Sequence, residues 1–355
     1  MKLDSRHKVN LLILNFVTDL DDPFLGFTHD WIQEIERRQG SLVVISGRAG
    51  RNSLSKSTQL YDVNWVEKEN VRNVLKATWK INCLILKHRP KIIFTHMNFW
   101  FSIFAFPASV WVRSKRALWY AHYTGNSVLW LALKVNHLIL TSVPEAFPLT
   151  TPKLRDIGQA VNERIFHYNL RSFHQIDRFV HYGRLDKVKR VDYMIRCLTV
   201  LQASGQQSKI VFTHIGSPAN SQPPEFLSEM SRSLPTSDVE LNFLDSMPRD
   251  VLQAELKCHD VFLHACLGSM DKAPLEAVLS GLIVLSENQR IFKELGSDAF
   301  LGKDADLTSQ LRALQRITPL ERSQLQALQR QNVLARHSMS SFGKRFSEAV
   351  DSISR

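Results

Sequence analysis

The chain has 355 residues, of which 44% are hydrophobic and 22% charged. These are the proportions of a globular protein with room for two domains, and they exclude a collagen-like, low-complexity or disordered chain. The net charge of +11 is uneven: residues 1–160 hold 21 Lys/Arg against 12 Asp/Glu, and residues 161–355 hold 24 against 22. A basic first half serves an acidic substrate, an anionic membrane surface, nucleic acid, or solubility alone.

The opening segment MKLDSRHKVNLLILNF puts charge first, and its apolar run stops at Asp19. It is too short for a membrane span and has no small-residue cleavage site, so Val9–Phe16 reads as a first buried strand. Similar runs follow at Ser41–Ser46, Lys91–His96, Ala117–His122 and His137–Ser142. Helical patterns lie between them, clearest at Thr28–Arg38 and Glu67–Lys87. The most apolar stretch, Asn98–Val112, contains Pro107 and falls short of the roughly 18–20 residues a span needs.

The polar segment Asn162–Asp177 breaks the alternation and marks a boundary. Strands resume at Arg178–Tyr182, Lys209–Ile215, Glu240–Leu244, Val261–Ala265 and Leu282–Ser286. Helices are expected at Val191–Ala203, Pro223–Ser233, Arg249–His259, Ala273–Ser280 and Gln289–Leu295, and two more helical stretches run from Asp306 to the end. Short, wholly apolar runs separated by helices predict parallel sheets covered on both faces. The expected fold is therefore α/β: two tandem Rossmann-like, doubly wound domains, 1–162 and 177–335, with a C-terminal helical tail, 336–355, packing back on the first domain. Ligands of such sheets sit at the carboxyl ends of the strands, here in the cleft between the domains.

No Gly-x-Gly-x-x-Gly follows the first strand and no Walker loop is present, which argues against a dinucleotide dehydrogenase or a P-loop enzyme. The cysteines Cys83, Cys197, Cys258 and Cys266 form no Cys-x-x-Cys pair and sit among apolar neighbours. Four free, buried thiols in a reducing cytoplasm are expected, with no zinc site and no other metal.

Four constellations carry the chemistry. Tyr182-Gly183-Arg184-Leu185-Asp186-Lys187-Val188-Lys189 opens the second domain at a strand end. Gly183 permits a sharp turn, and Arg184 with Lys189 can hold a diphosphate, the arginine by its fork and the lysine as a point charge; a solvated basic turn is the plain alternative. His264-Ala265-Cys266-Leu267-Gly268-Ser269-Met270-Asp271-Lys272-Ala273-Pro274-Leu275-Glu276 runs from strand through a small-residue loop into a helix. Its loop offers backbone N–H groups to an anion, and Glu276 either favours the helix dipole or accepts two ribose hydroxyls. Trp119-Tyr120-Ala121-His122 places a histidine just past a strand, where it can meet a sugar hydroxyl or phosphate or serve structure alone. Leu25-Gly26-Phe27-Thr28 enters the first helix, with Thr28 as N-cap and Gly26 letting the backbone approach a phosphate or acceptor.

In their order these segments resemble the retaining glycosyltransferases of family 4, which have the GT-B fold. The resemblance is best over Phe179–Gly296: VHYGRLDKVKRVDYMI is similar to that family's diphosphate motif, and DKAPLEAVLSGLIVLSEN to its C-terminal nucleotide motif. LGFTHDW, WYAH, TSVPEAF and DIGQAVN are similar less specifically. The resemblance implies that Arg184 and Lys189 bind the donor's diphosphate and that Glu276 binds the ribose. It also implies that Gly183, Gly268, Ser269, Met270, Asp271 and Lys272 surround the donor, that His122 contacts its sugar, and that Gly26 and Phe27 lie near phosphate or acceptor. Eight residues before its ribose glutamate the family has another glutamate, and here that position is Gly268; Asp271 or a backbone group is expected to substitute.

The implied activity moves a sugar from a UDP- or GDP-linked donor to a hydroxyl of a glycan, lipid-linked or small-molecule acceptor. No metal or other cofactor is expected, because cations and helix amides already face the growing negative charge. A nucleotide-sugar epimerase of the same fold would need grouped carboxylates and a base in the cleft, and a nucleic-acid binder would interleave basic and aromatic residues along one element; neither grouping is visible, and a non-catalytic basic binding protein is the remaining alternative. Residues 99–112 with Arg113, Lys115 and Arg116 offer a peripheral membrane contact, against which a buried helix followed by a basic loop is the favoured expectation.

Overall fold

The computed structural model describes residues 8–22, 25–65, 70–166, 173–205, 208–218, 239–268, 270–303 and 305–354. They form two compact units, Met1–Ala160 with Met339–Arg355, and Val161–Ser338.

The first unit is built on the strands β1 (Val9–Thr18), β2 (Val43–Ala49), β3 (Gln59–Asp62), β4 (Pro90–His96), β5 (Lys115–Trp119), β6 (Leu138–Thr141) and β7 (Leu154–Asp156). Their order is β3-β2-β1-β4-β5-β6-β7, all parallel. Central β1 pairs Leu12 with Val43 and Ile93, and its run Leu11–Leu14 is fully buried, as a parallel strand covered on both faces must be. Helices α1 (Thr28–Gln39) and α12 (Met339–Ser354) cover one face. Helices α2 (Val71–His88), α3 (Phe99–Trp111) and α4 (Ser127–Val135) cover the other, with α3 in the middle. The tail helix α12 packs Phe346 edge-on against Phe94 with ring centroids 4.8 Å apart. Gly343 lets α12 approach α1, since a Cβ there would strike the paired Glu34 and Arg38 side chains.

The second unit carries β8 (Arg178–Tyr182), β9 (Val211–Ile215), β10 (Glu240–Leu244), β11 (Val261–His264) and β12 (Ile283–Ser286) in the parallel order β10-β9-β8-β11-β12. Its helices are α5 (Val191–Ala203), α6 (Arg249–Leu256), α7 (Ala273–Leu279), α8 (Gln289–Leu295), α9 (Asp298–Leu301), α10 (Leu307–Arg316) and α11 (Pro319–His337). Phe179, Phe212, Leu263 and Leu285 of the sheet pack with Met194 and Leu198 of α5 and Leu311 of α10. The helix expected at Pro223–Ser233 lies outside the described residues.

Four expectations need correction. From Asp306 onward the chain makes three helices, not two: Thr318 and Glu321 close a capping box that starts α11 afresh, and Ser338 separates it from α12. Thr28 is no N-cap; its hydroxyl donates to Val17 O at 3.0 Å and accepts from Asn15 Nδ2 at 3.1 Å, inside the core. Cys83 and Cys258 are exposed, while Cys197 and Cys266 are buried and all four are free. Asn98–Val112 is a helix buried on one side only: Phe101 and Phe104 enter the core, while Trp111 is 81% exposed. Pro107 removes one helix donor, and Asn82 of α2 repairs the break by donating to Phe104 O at 2.8 Å and accepting from Ala108 N at 2.9 Å.

Edge strand β12 has no outer neighbour among the described residues, yet its outward backbone groups at Val284 and Ser286 are satisfied. Buried Gln329 of α11 bonds Val284 N and O at 2.9 and 2.8 Å, and buried Gln310 of α10 bonds Ser286 N and O at 3.1 and 2.9 Å. The two side-chain amides replace the strand that would otherwise pair there. Replacing Gln329 by Leu strands two buried backbone groups and should cost about 2–5 kcal/mol in urea unfolding; a loss under about 1 kcal/mol would show that the edge does not depend on it.

His181 of β8 and His214 of β9 are register partners, fully buried, with stacked rings 5.5 Å apart. His181 Nδ1 donates to Leu263 O at 2.8 Å. Burial, and then the neighbouring His214, hold His181 well below its ordinary value, and burial lowers His214 to about 4. Unfolded histidines take up a proton near pH 6.5; the folded pair excludes it. Stability contributed by the neutral pair is therefore full above pH 6.5 and is lost as the pH falls from there toward about 4. Each excluded proton should give a slope of about 1.4 kcal/mol per pH unit in that window. Unfolding titrations at pH 7 and 5 should show it, and His214→Asn should flatten it by one proton's worth; an unchanged slope in the variant would rule the pair out as its origin.

Candidate functional site

Three apolar strands of the second unit end on polar residues, Tyr182 on β8, His264 on β11 and Ser286 on β12. All three are buried, and a network of ion pairs and hydrogen bonds hangs from them. The loops that leave these strands carry the residues singled out in the sequence.

The first loop is the turn after β8. Gly183 has φ +142°, and Gly216 opposite it must lack a side chain, because a Cβ would lie 2.0 Å from the Gly183 carbonyl oxygen. Arg184 follows, exposed, with no hydrogen bond or ion pair among the described residues. Asp186 Oδ1 accepts from Lys189 N at 3.1 Å and holds the short turn Lys187–Lys189. Lys189 then directs its ammonium onto Asp271 Oδ2.

The second loop runs from β11 to α7. Asp271 is largely enclosed, and His264 Nε2 lies 3.3 Å from the same oxygen that meets Lys189. Burial alone would push the Asp271 carboxyl up; the His264 hydrogen bond and the Lys189 charge outweigh it and hold the carboxyl well below the usual carboxylate range. Ser286 Oγ accepts from Asn288 N at 3.1 Å and lies 2.9 Å from His264 Nδ1. The Asp271 carboxylate can only accept, so His264 Nε2 carries a proton toward it. Met270 is buried and Lys272 half-buried at the start of α7. Gly268 is exposed, and a Cβ there would meet nothing within 4 Å. Ser269 lies outside the described residues.

Glu276, the first-turn carboxylate of α7, is 8% exposed. The Tyr182 hydroxyl lies 2.9 Å from both Glu276 Oε2 and Ala273 O, and Arg249 Nη2 at the start of α6 reaches Glu276 Oε1 at 3.4 Å. Burial, with the Glu276 carboxylate beside it, pushes the Tyr182 hydroxyl well above its ordinary value, so it stays a proton donor to Glu276. A third pair closes the edge: Arg190 Nη1 bonds Glu287 Oε2 at 2.5 Å and stacks 4.2 Å over the Tyr193 ring, whose hydroxyl also meets Glu287.

His264, Cys266 and Asp271 bring one donor atom each within 4.8 Å, a trio that the sequence, read for metal-ligand spacing, did not disclose. In the network above, Asp271 receives two donors, the Lys189 ammonium and His264 Nε2–H.

The remaining site residues belong to the first unit. His122 is exposed past β5, and its Nδ1 accepts from Thr124 N at 3.3 Å and lies 2.7 Å from Thr124 Oγ1, which leaves Nε2 to carry the ring proton. At Gly26 the space for a side chain is taken by its own loop, with Asp22 O 2.8 Å from the Cβ position, so the loop itself requires the glycine. Phe27 turns its edge to His96 at 6.5 Å. Sequence reading missed His96 at the end of β4 and Asn15 within β1, 3.2 Å apart, and in the second unit Tyr182 as a donor, Arg249, Arg190, Glu287 and Ser286. One signal marks three of them, His96, Tyr182 and Ser286: a polar residue closing an apolar strand.

No family model matches the sequence, and no curated protein sequence does. Solved structures match over nearly its whole length. The Anabaena protein HepE in complex with UDP superposes with a TM-score of 0.71 at 11% identity, covering 97% of this chain and 100% of that one. A glycosyltransferase from Rickettsia africae gives 0.71 at 14% identity over 98% and 99% of the two chains. The α,α-trehalose 6-phosphate synthase of Burkholderia multivorans gives 0.69 at 13% identity over 98% and 97%. At such identities the likeness is one of fold, and the fold is GT-B.

Proposed function

We propose that the chain is a retaining glycosyltransferase of family 4 type, moving a sugar from a UDP- or GDP-linked donor to a hydroxyl acceptor without a metal. The observation that carries it is the set of charges at the carboxyl edge of the second sheet: exposed Arg184, Lys189 on Asp271, and buried Glu276 held by Tyr182 and Arg249. The UDP bound in the HepE structure of the same fold supports a nucleotide there.

The roles follow from chemistry. Cleavage of a glycosyl diphosphate leaves positive charge on the sugar and negative charge on the phosphates. Arg184 supplies a forked donor for those oxygens and Lys189 a point charge, which stabilises the departing diphosphate. Glu276 keeps lone pairs for two ribose hydroxyls while Tyr182 and Arg249 fix its plane. Asp271, three residues beyond the open Gly268 position, is the carboxylate proposed to read the sugar's hydroxyls. His122, with its proton on Nε2, and the Gly26–Phe27 turn are the groups proposed from the first unit. The acceptor is a glycan, a lipid-linked sugar or a small glycoside.

Thermal unfolding with a panel of nucleoside diphosphates tests the reading. One of them, at about one hundred times its Kd, should stabilise the protein by about 2.7 kcal/mol. Arg184→Ala should leave the ligand-free midpoint unchanged, because Arg184 is exposed and makes no bond among the described residues, and should remove about 1.5–3 kcal/mol of binding. No shift with any nucleotide would sink the donor site.

Asp271→Asn separates the two tasks assigned to that loop. Without the carboxylate, Lys189 is released to phosphate, and nucleoside diphosphate should bind about tenfold more tightly, the effect of removing roughly 1.4 kcal/mol of competing attraction. Transfer to acceptor should fall, because the sugar's reader is gone. Weaker diphosphate binding in the variant would mean that Asp271 orients Lys189 rather than competing for it.

A further inference from the structure

The outer surface of α2, α3 and α4 in the first unit is apolar where a helix layer facing water should be polar. On α2, Val71, Leu75, Trp79 and Leu86 recur at helical spacing and all stand exposed, Trp79 at 70%. Trp100 and Trp111 on α3 and Trp130 on α4 continue the surface, and the three helices pack side by side. The chain's other tryptophans, Trp31, Trp65 and Trp119, are buried, so exposure is confined to this layer. Such a surface exceeds the scattered apolar residues normal on a soluble protein.

Charge is concentrated on the same elements. From Asn70 to Pro144 the sequence has no Asp or Glu and has ten Lys/Arg, so +10 of the chain's +11 falls within 75 residues. Arg72, Lys76, Arg113, Lys115 and Lys134 are exposed around the apolar side chains. Lys134 lies 4.9 Å over the Trp130 ring. Asn82 splints α3 at Pro107 from within the layer, so the face that carries Trp100 and Trp111 is held by hydrogen bonds to α2.

We propose that this surface docks the protein on an anionic lipid bilayer. Tryptophan favours the headgroup level, where its ring is apolar and its N–H stays wet. Cations around it meet lipid phosphates, and no carboxylate of this segment opposes them. A protein partner or a second copy would demand acidic groups to pair with these cations, and the surface offers itself none. No described helix is long and apolar enough to cross a membrane, so the contact lies on the bilayer surface. It uses no residue of the proposed donor site and stands or falls separately from it.

Flotation of the purified full chain with phosphatidylcholine vesicles, with and without phosphatidylglycerol, tests this. The protein should float with the anionic vesicles and not with the neutral ones, and molar salt should weaken binding about tenfold or more. Trp79→Ser with Trp111→Ser and Trp130→Ser should abolish flotation while leaving the melting midpoint and any nucleotide-induced shift in place, since all three side chains are exposed. Three results would overturn the proposal: no flotation with either vesicle, flotation that persists in the triple variant, or a dimer in solution that the triple variant converts to monomer. Binding to single-stranded nucleic acid in place of vesicles would likewise assign the surface to another partner.

Discussion

A parallel sheet covered on both faces must end each strand somewhere, and the ends set where polar chemistry can begin. Within the strands there is no room for an unpaired charge. At their carboxyl ends the backbone is released and side chains take over the hydrogen bonding. In the second unit Tyr182, His264 and Ser286 are the last residues of their strands, each buried and each hydrogen-bonded: Tyr182 to Glu276 of α7, His264 to Asp271 of the following loop, and Ser286 to His264. In the first unit Thr18 and His96 close β1 and β4, and both bond Asn15 of β1, whose amide also reaches Thr28. The positions of the loop residues follow from these anchors: Glu276 is where Tyr182 donates, and Asp271 is where His264 and Lys189 converge.

That convergence gives the second loop a feature the individual residues do not have. Lys189 has one ammonium, and Asp271 holds it. Any phosphate that engages Lys189 must share it with Asp271 or displace it, so the anion on one loop and the cation on the other respond together. Asp271 remains charged despite its burial because the opposing terms, the His264 hydrogen bond and the Lys189 charge, are larger than the burial cost. Arg184 differs: it is exposed on the same turn. A leaving diphosphate would thus meet one cation that is free to move and one that is already placed. The second arrangement lowers the reorganisation needed when charge develops.

Most strands of the two sheets were legible because each is a short, largely apolar run between helical patterns; β10, α5 and α8 end at the residues that the sequence marks. Edge strands β3 and β7 were not, since four and three residues carry no period. The motif glycine Gly183 and the residues Lys189, Asp271 and Glu276 were readable from their places next to strand ends. Their partners were not. Lys189 and Asp271 are 82 positions apart, and Tyr182 and Glu276 are 94 apart, and no local pattern states which side chains a fold will bring together. Side-chain exposure was the least legible: Cys83 lies among apolar neighbours in sequence, yet it falls on the outer side of α2, whose water-facing stripe is itself apolar. Apolar neighbours along a chain indicate burial only when the helix has polar residues to turn outward.

The same limit explains why residues 99–112 looked like a buried helix. An amphipathic helix announces its buried face by contrast, and α3 has almost none: apolar side chains go all round it, from Phe101 and Phe104 in the core to Trp100 and Trp111 outside. A helix of that kind is enclosed by protein, or it meets something other than water. In the sheet it covers, the inner side is already filled by the strands and the flanks by α2 and α4, which leaves the outer side unenclosed. The surrounding cations and the missing carboxylates then restrict what that side can meet, because a surface that is both oily and positively charged lowers its free energy most against one that is both oily and negatively charged. The two units therefore use one architecture differently. The second keeps its charges in pairs at the sheet's edge, where a small anion can enter the pairing. The first spreads exposed cations among the apolar side chains of a helix layer, the surface proposed above to meet an anionic bilayer.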